Sequence, residues 1–568
     1  MSPSTTKKRP VRIVGCSGGF TDRSRVIASL DGDPDVEAVI GDWMAEMTMT
    51  MHGSGKIKNQ QKLSEDAKVE LSLEDRMKTA MYAETFLQCF EPAIDNLAKN
   101  KCKLAVNAGA SDTVLLAQVC QKMVREAGYD LKIAWAEGDD VTSQVNALIK
   151  QGEQFERMEE PICAQAYLGR LGIAEAFRQG ADIVICGRVA DAAPVIGLAA
   201  WWHEWTPDML DELAGALIAG HSIECSAYVT GGYYSGFKDF IQTRGHLNMG
   251  FPIAEVDYKG ECIIVKEKNT GGAVNVGTVA SQLLYQIQGR WHYNCDVVAD
   301  ITAVKMTHVG QDAVHVSGIK GLPPPPTRKC RATEGHIRYA IGDNIDKFTT
   351  LKFHQNGSSL SMRGTRTLRL LISESSRRAR IPNNDIRQVV PKPYYEYWVS
   401  LLPQSEFKHR VHCLFADTKV VDMPAPRNTR VYPKQQPSYE TEAPVALSTW
   451  GETARVPLGY VVLGRSGDKA SDCNVGFFVR NDDEWEWLRS FLTVDKIKEL
   501  LGLEEYKGKL IDRFEIPGIK AVHFLLHDHL DRGYNGCSTY DTLGKNACEY
   551  IRAKTVDIPT KFLDRGRI

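Results

Sequence analysis

Five short apolar runs punctuate the first 220 residues, and each is followed within a few positions by glycine together with an acid, an amide or an arginine. The runs are Val11–Cys16, Val36–Ile40, Cys102–Asn107, Leu131–Ala136 and Asp182–Cys186. Stretches this short, apolar without alternation, predict strands buried on both faces, as in a parallel sheet. Between them the spacing turns helical. Ala80, Ala83, Leu87, Phe90, Ile94 and Leu97 fall in steps of three and four and put one apolar stripe along a helix. Ser111–Asp112 predicts an N-cap ahead of Leu115, Leu116 and Val119. The expected fold class is α/β: a mostly parallel sheet with helices on both faces, a barrel being the alternative.

In such a sheet, ligands bind beyond the carboxyl ends of the strands. The segments there begin Gly15-Cys16-Ser17-Gly18-Gly19-Phe20-Thr21-Asp22, then Gly41-Asp42 up to Glu46, then Asn107-Ala108-Gly109, then Glu137-Gly138-Asp139-Asp140, then Gly187-Arg188 with Asp191. Asp42, Glu46, Glu137 and Asp139 are the candidate acid–base residues, and with Asp140 they could equally hold a hard cation such as Mg²⁺ or serve as helix caps. Ser17, Gly18, Gly19, Asp22, Asn107, Gly109, Arg188, Asp191 and Glu224 are candidates for binding substrate. The backbone N–H groups of Gly18 and Gly19 would face an anion, although a tight strand-to-helix turn explains them as well. Arg188 would clamp a carboxylate or pair with Asp191, one helical turn away. In His221-Ser222-Ile223-Glu224-Cys225, a strand would send Glu224 and Cys225 to opposite sides.

After His221 the texture changes. Phe251–Val256 and Cys262–Lys266 around Lys259–Gly260 predict a hairpin, and Asp296–Met306 with Ala313–Ile319 a second one. This α+β half is expected to run to residue 430, so that an N-terminal domain covers 11–430 in halves 11–220 and 221–430, after a flexible tail at 1–10. Residues 431–449 are expected to be a linker and 450–568 a small α+β domain. That domain contains strand candidates Leu458–Leu463, Cys473–Val479 and Ile519–Leu526. Its other features are a Thr493-capped helix stopped by Gly502, and Arg465-Ser466-Gly467-Asp468-Lys469 expected just after a strand.

At 568 residues with 43% apolar and 25% charged residues, the chain has material for more than one core. A net charge of −2 supplies no general pull toward nucleic acid or anionic membrane, and no run is long enough to span a bilayer. Fourteen scattered cysteines without a CxxC pair speak for a reducing, cytoplasmic setting. They also argue against structural zinc, and His527 and His529 alone make no site. No nicotinamide or flavin fingerprint is present.

Taken together, Gly15–Arg23, Asp42–Glu46, Asn107–Ala110, Gly180–Asp191, Gly220–Glu224, Thr230-Gly231-Gly232, Gly250–Glu255 and Thr270-Gly271-Gly272 resemble the N-terminal domain of the AtuA family of acyclic terpene utilisation. Arg465–Lys469 resembles the opening of the small AtuA-like C-terminal domain, with Cys473 where a smaller polar residue is expected. The resemblance implies a setting in the catabolism of citronellol and geraniol, beside acyl-CoA carboxylases. It carries no catalytic residue set.

Two functions follow as expectations. The first is an enzyme, a lyase or hydrolase before an oxidoreductase, doing acid–base chemistry (hydration or dehydration, isomerisation, hydrolysis) on a carboxylate or acyl-CoA-like ligand, with a homo-oligomer compatible. The second is an accessory or scaffold protein for an acyl-CoA carboxylase or biosynthetic partner. One pocket uniting Asp42, Glu137 and Arg188 near Gly18 and Gly19 would favour the enzyme.

Overall fold

In a computed structural model, the structure describes residues 8–17, 27, 33–66, 72–151, 161–241, 247–338, 392–415, 419–533, 537 and 541–568. All five apolar runs are strands of one sheet. They are β1 (Val11–Ser17), β2 (Ala38–Asp42), β3 (Lys103–Val106), β4 (Ile133–Glu137) and, after a short β5 (Cys163–Ala166) that belongs elsewhere, β6 (Ile183–Ile185). They run parallel in the order β1-β2-β3-β6-β4. Side chains alternate between two cores. Ile13, Ala38, Ile40, Ala105 and Val184 face one, and Val14, Val39, Leu104, Val106, Ile183 and Ile185 face the other. Both faces are therefore covered by helices, which is why the strands carry no polar alternation. The sheet stays open and does not close into a barrel.

Antiparallel strands extend this block on both sides. The predicted hairpin forms as β7 (Pro252–Val256) and β8 (Cys262–Lys266), with β7 against β1. Ala313–Ser317 and Lys305–Gly310 follow outward, while Arg410–Cys413 and Val420–Asp422 flank β4. A separate sheet joins β5 to Thr327–Arg338 and Lys392–Pro403. The C-terminal region has its own antiparallel sheet, ordered Leu463–Lys469, Asp472–Phe478, Ala521–Leu526, Ile511–Ile516, with its own core around Trp487, Phe477 and Phe524. Segment 431–449 binds both regions. Gln436 accepts from Trp291 N at 2.9 Å, and Tyr439 N donates to Arg513 O at 3.2 Å.

Several local expectations are corrected. The stripe from Ala80 to Leu97 is not one helix; it breaks into Glu84–Phe90, a 3-10 turn containing Pro92, and Ile94–Asn100. Proline cannot donate to the preceding turn. Asp112 stands at the N-cap of Thr113–Glu126, but its side chain accepts from Met81 N at 2.7 Å instead of from the helix. His221–Ile223 end an α-helix, Leu210–Ile223, whose residues from Leu213 onward are all buried. With every face apolar, no stripe betrays the period. Leu458–Tyr460 is a 3-10 turn, and Arg465–Lys469 lies within the strand Leu463–Lys469 and not after it.

Helix Leu210–Ile223 sets the position of Glu224, and glycines let it sit where it does. A Cβ on Gly15 in β1 would fall 2.0 Å from Ile223 O, and one on Gly215 would fall 2.0 Å from Gly260 O in the β7–β8 turn. Both contacts are with backbone, which cannot swing aside. Gly15→Ala is therefore expected to destabilise the protein by about 1–3 kcal/mol in urea unfolding. An unchanged midpoint would show that this close approach does not exist.

Candidate functional site

Three adjacent strand ends meet in one buried polar cluster. Asp42 ends β2, Asn107 follows β3, and Arg188 follows β6. Asn107 Oδ1 accepts from Trp43 N at 2.6 Å, and its Nδ2 donates to Asp42 Oδ1, which also accepts from Met44 N at 3.3 Å. Arg188 is 2% exposed. It donates to Met44 O and, at 2.7 Å, to Asp191 Oδ1, while its Nη1 lies 4.0 Å from Asp42 Oδ1. Its guanidinium rests 4.1 Å from the ring centroid of Tyr167, a cation–π contact strengthened by desolvation. These donors already serve protein acceptors, so Arg188 holds the cluster together.

The charges around Asp42 oppose one another. Burial pushes its carboxyl up and Asp191 adds to that, while Arg188, Asn107 and the Met44 N–H pull it down; the balance sits at about 7. Glu224 caps helix Leu210–Ile223 and is buried; burial first, then Asp191 and Asp42, push it well above the usual carboxylate range. Like charges in one low-dielectric site cannot all ionise, so the carboxyls titrate as a group. His221, one helical turn before, is lowered to about 4 by burial and by Lys469. It is a neutral imidazole whose Nε2 lies 3.3 Å from Leu283 O.

Glu224 is adjacent to Cys225, and the two interact across the helix end; the strand that would have parted them is absent. Burial and Glu224 push the Cys225 thiol up, against Arg465 and Lys545 of the C-terminal region. That region is clamped in place. Asn474, fully buried, donates to Leu284 O at 2.6 Å and accepts from Gln286 N at 2.9 Å. Tyr233 OH donates to Lys545 O at 2.9 Å, and Ser235 Oγ accepts from Gly464 N at 3.1 Å.

The family model for acyclic terpene utilisation family protein AtuA matches residues 11–338, more than half of the chain, and that for the AtuA ferredoxin-like domain matches residues 456–557. The chain belongs to the AtuA family. No curated protein and no solved structure matches it. In this AtuA-family chain the cluster of Asp42, Asn107, Arg188, Asp191 and Glu224 draws on the family-matched N-terminal part, and Lys545 of the ferredoxin-like domain acts electrostatically on Glu224.

Other candidates lie elsewhere. Glu137 and Asp139 line a cleft of about 350 Å³ at the end of β4, with Lys56, Asp140, Lys408 and Arg410. Glu137 pairs with Arg410 at 2.9 Å and His412 at 2.5 Å, so it does not join Asp42. Asp139 touches both regions. It lines the cleft, yet its Oδ2 accepts from Arg188 N at 2.8 Å, and burial lifts its carboxyl to about 7. Gly109 N donates to Cys186 O at 2.9 Å and acts as a packing residue between β3 and β6. Ser17 ends β1 opposite Asp42, and Glu46 opens the helix Glu46–Asp66. Gly18, Gly19 and Asp22 lie outside the described residues. Among the described residues no His, Cys, Asp or Glu group of three could hold a metal ion, and no helix is long and apolar enough to cross a membrane. Cys225, Arg465 and Lys545 were missed as site residues. The HSIEC and RSGDK segments hold Cys225 and Arg465, while Lys545 lies in neither and left no signal.

In the unfolded chain Asp42 titrates near 3.8. Between about pH 4 and 7 the folded chain keeps a proton there that the unfolded chain has lost, so stability falls as pH rises, by up to ~1.4 kcal/mol per unit. Asp42→Asn removes that fall. In urea unfolding the variant should gain steadily on the wild type from pH 5 to pH 8. Parallel curves would mean an Asp42 with an ordinary carboxylate pKa.

Proposed function

We propose that this AtuA-family protein is an enzyme that moves protons on a carboxylate-bearing organic acid or acyl-CoA-type substrate, in a hydration or dehydration, an isomerisation or a hydrolysis. The observation that carries the reading is Asp42, whose carboxyl balances near neutrality between its own burial and Asp191 on one side and the buried Arg188, 4.0 Å away, on the other. A general acid–base works best with its pKa near the working pH. Burial, Asp191 and Asp42 raise the Glu224 carboxyl well above the usual carboxylate range, which favours it as the proton donor, while Asp42, near 7, exchanges its proton readily. Two carboxyls whose surroundings give them different affinities for a proton divide the roles of acid and base. Arg188 supports the ionised form of Asp42 and keeps Asp191 close.

A second reading, an accessory or scaffold protein for an acyl-CoA carboxylase, draws support from the ion-paired Glu137 and from the protein acceptors on Arg188. The two readings part in deuterium oxide. Organic acids and acyl-CoAs that raise the melting temperature are incubated with the protein, and carbon-bound deuterium, together with the acid or thiol that hydrolysis releases, is read by mass spectrometry. The enzyme reading expects incorporation or release that falls by about 100-fold or more in Asp42→Asn. Ligands that stabilise the protein yet neither exchange nor hydrolyse, or do so unaltered in Asp42→Asn, would leave the accessory reading.

A further inference from the structure

Among the described residues, no protein acceptor completes the setting of Arg465. It sits within the strand Leu463–Lys469 of the ferredoxin-like domain and is 2% exposed. Its guanidinium carbon lies 4.0 Å from the ring centroid of Tyr233, 4.4 Å from Tyr285 and 5.0 Å from Tyr228. All three tyrosines belong to the N-terminal part. Gly467, two residues on, makes room for this cage, since a Cβ there would fall 2.1 Å from the Tyr285 ring. Lys545 brings a second cation, 5.5 Å from Tyr228 and 5.4 Å from Tyr285.

Aromatic faces steady a cation but accept no in-plane hydrogen bond. Arg465 Nε and Nη2 are buried without a hydrogen-bond partner, and among the described residues no carboxylate pairs with this guanidinium. Asp468 and Asp541 act on Tyr285 and Tyr233 of the cage but form no ion pair with Arg465, and burial raises both Glu224 and Cys225. Buried arginines are ordinarily matched by acceptors, and one left unmatched calls for an anion from outside.

We propose that Arg465 and Lys545, within the cage of Tyr228, Tyr233 and Tyr285, form the receptor for the substrate's oxyanion, so that the ferredoxin-like domain completes the site. The two unmatched groups, Nε and Nη2, lie along one edge of the guanidinium, which suits two parallel hydrogen bonds to a planar carboxylate; a phosphate offers the same acceptor chemistry with less planar fit. The inference rests on reading the Asp42–Glu224 edge as a substrate site, because Glu224 feels Asp42, Asp191 and Lys545, and its neighbour Cys225 feels Arg465 and Lys545.

Calorimetric titration of the full chain with sodium octanoate and, separately, inorganic phosphate tests the receptor. Octanoate is expected to bind the wild type, and Arg465→Gln and Lys545→Gln should each weaken it about tenfold or more. Arg465→Lys should fall between. Lys545 is half-buried, so Lys545→Gln decides the matter if Arg465→Gln fails to fold. Phosphate bound with the same dependence, and octanoate not, assigns the site to a phosphorylated carrier and keeps the receptor. Binding is read without turnover, so that a failed proton-transfer reading leaves this result standing. Failure of both probes to bind the wild type, or undiminished binding in the two glutamine variants, would overturn the proposal.

Discussion

One arginine, through its guanidinium and its backbone N–H, ties together the ends of three strands. Arg188 follows β6, donates to Met44 O beyond β2, pairs with Asp191 in its own loop, and through its backbone N–H reaches Asp139 beyond β4. A buried arginine without such partners would be strongly destabilising, so the loops around it are constrained to supply acceptors. Gly187 is part of the same constraint, since a Cβ there would fall 2.2 Å from Asp139 Oδ2. Asp42 inherits its unusual protonation from this arrangement. It is close enough to Arg188 to feel the charge at 4.0 Å, and too deeply set among acids to be an ordinary carboxylate.

The second constraint is helical. Leu210–Ile223 crosses the sheet on backbone-to-backbone contacts that only glycine permits, and its last turn delivers His221 and Glu224 to the edge where the strands end. The ferredoxin-like domain then packs on that same edge through Asn474. Parallel-sheet geometry, helix packing and domain docking thus converge on one small volume in which several acids lie near one buried arginine and a second arginine waits in a tyrosine cage. Such crowding of charge in low dielectric is costly for folding, and enzymes accept it where proton transfer or anion binding requires it.

How much of this was legible in the sequence depends on the physics of each element. The five parallel strands were, because burial on both faces leaves an unbroken apolar run. That Asp42, Asn107, Arg188 and Asp191 would lie together was legible, because neighbouring parallel strands end at one edge. Glu137 was not separable from them. Strand order is a tertiary property, and β6 inserts between β3 and β4, which carries Glu137 outward to Arg410 and His412. Helix Leu210–Ile223 left no signal, since a helix buried all round has no polar face to mark its period. Arg465 was visible as a motif and misplaced by a few residues. In a turn it would have been a solvated cation; inside the strand it is caged and buried.

The central claim is that the carboxyl group of Asp42 holds its proton to neutral pH because burial and neighbouring acids outweigh Arg188. Infrared difference spectra of wild type against Asp42→Asn, taken across a pH titration, observe that proton directly through the carbonyl stretch of a protonated carboxyl. The account predicts a protonated-carboxyl band assigned to Asp42 that fades with a midpoint at about 7. A band already lost near the ordinary aspartate value of about 4 would contradict it.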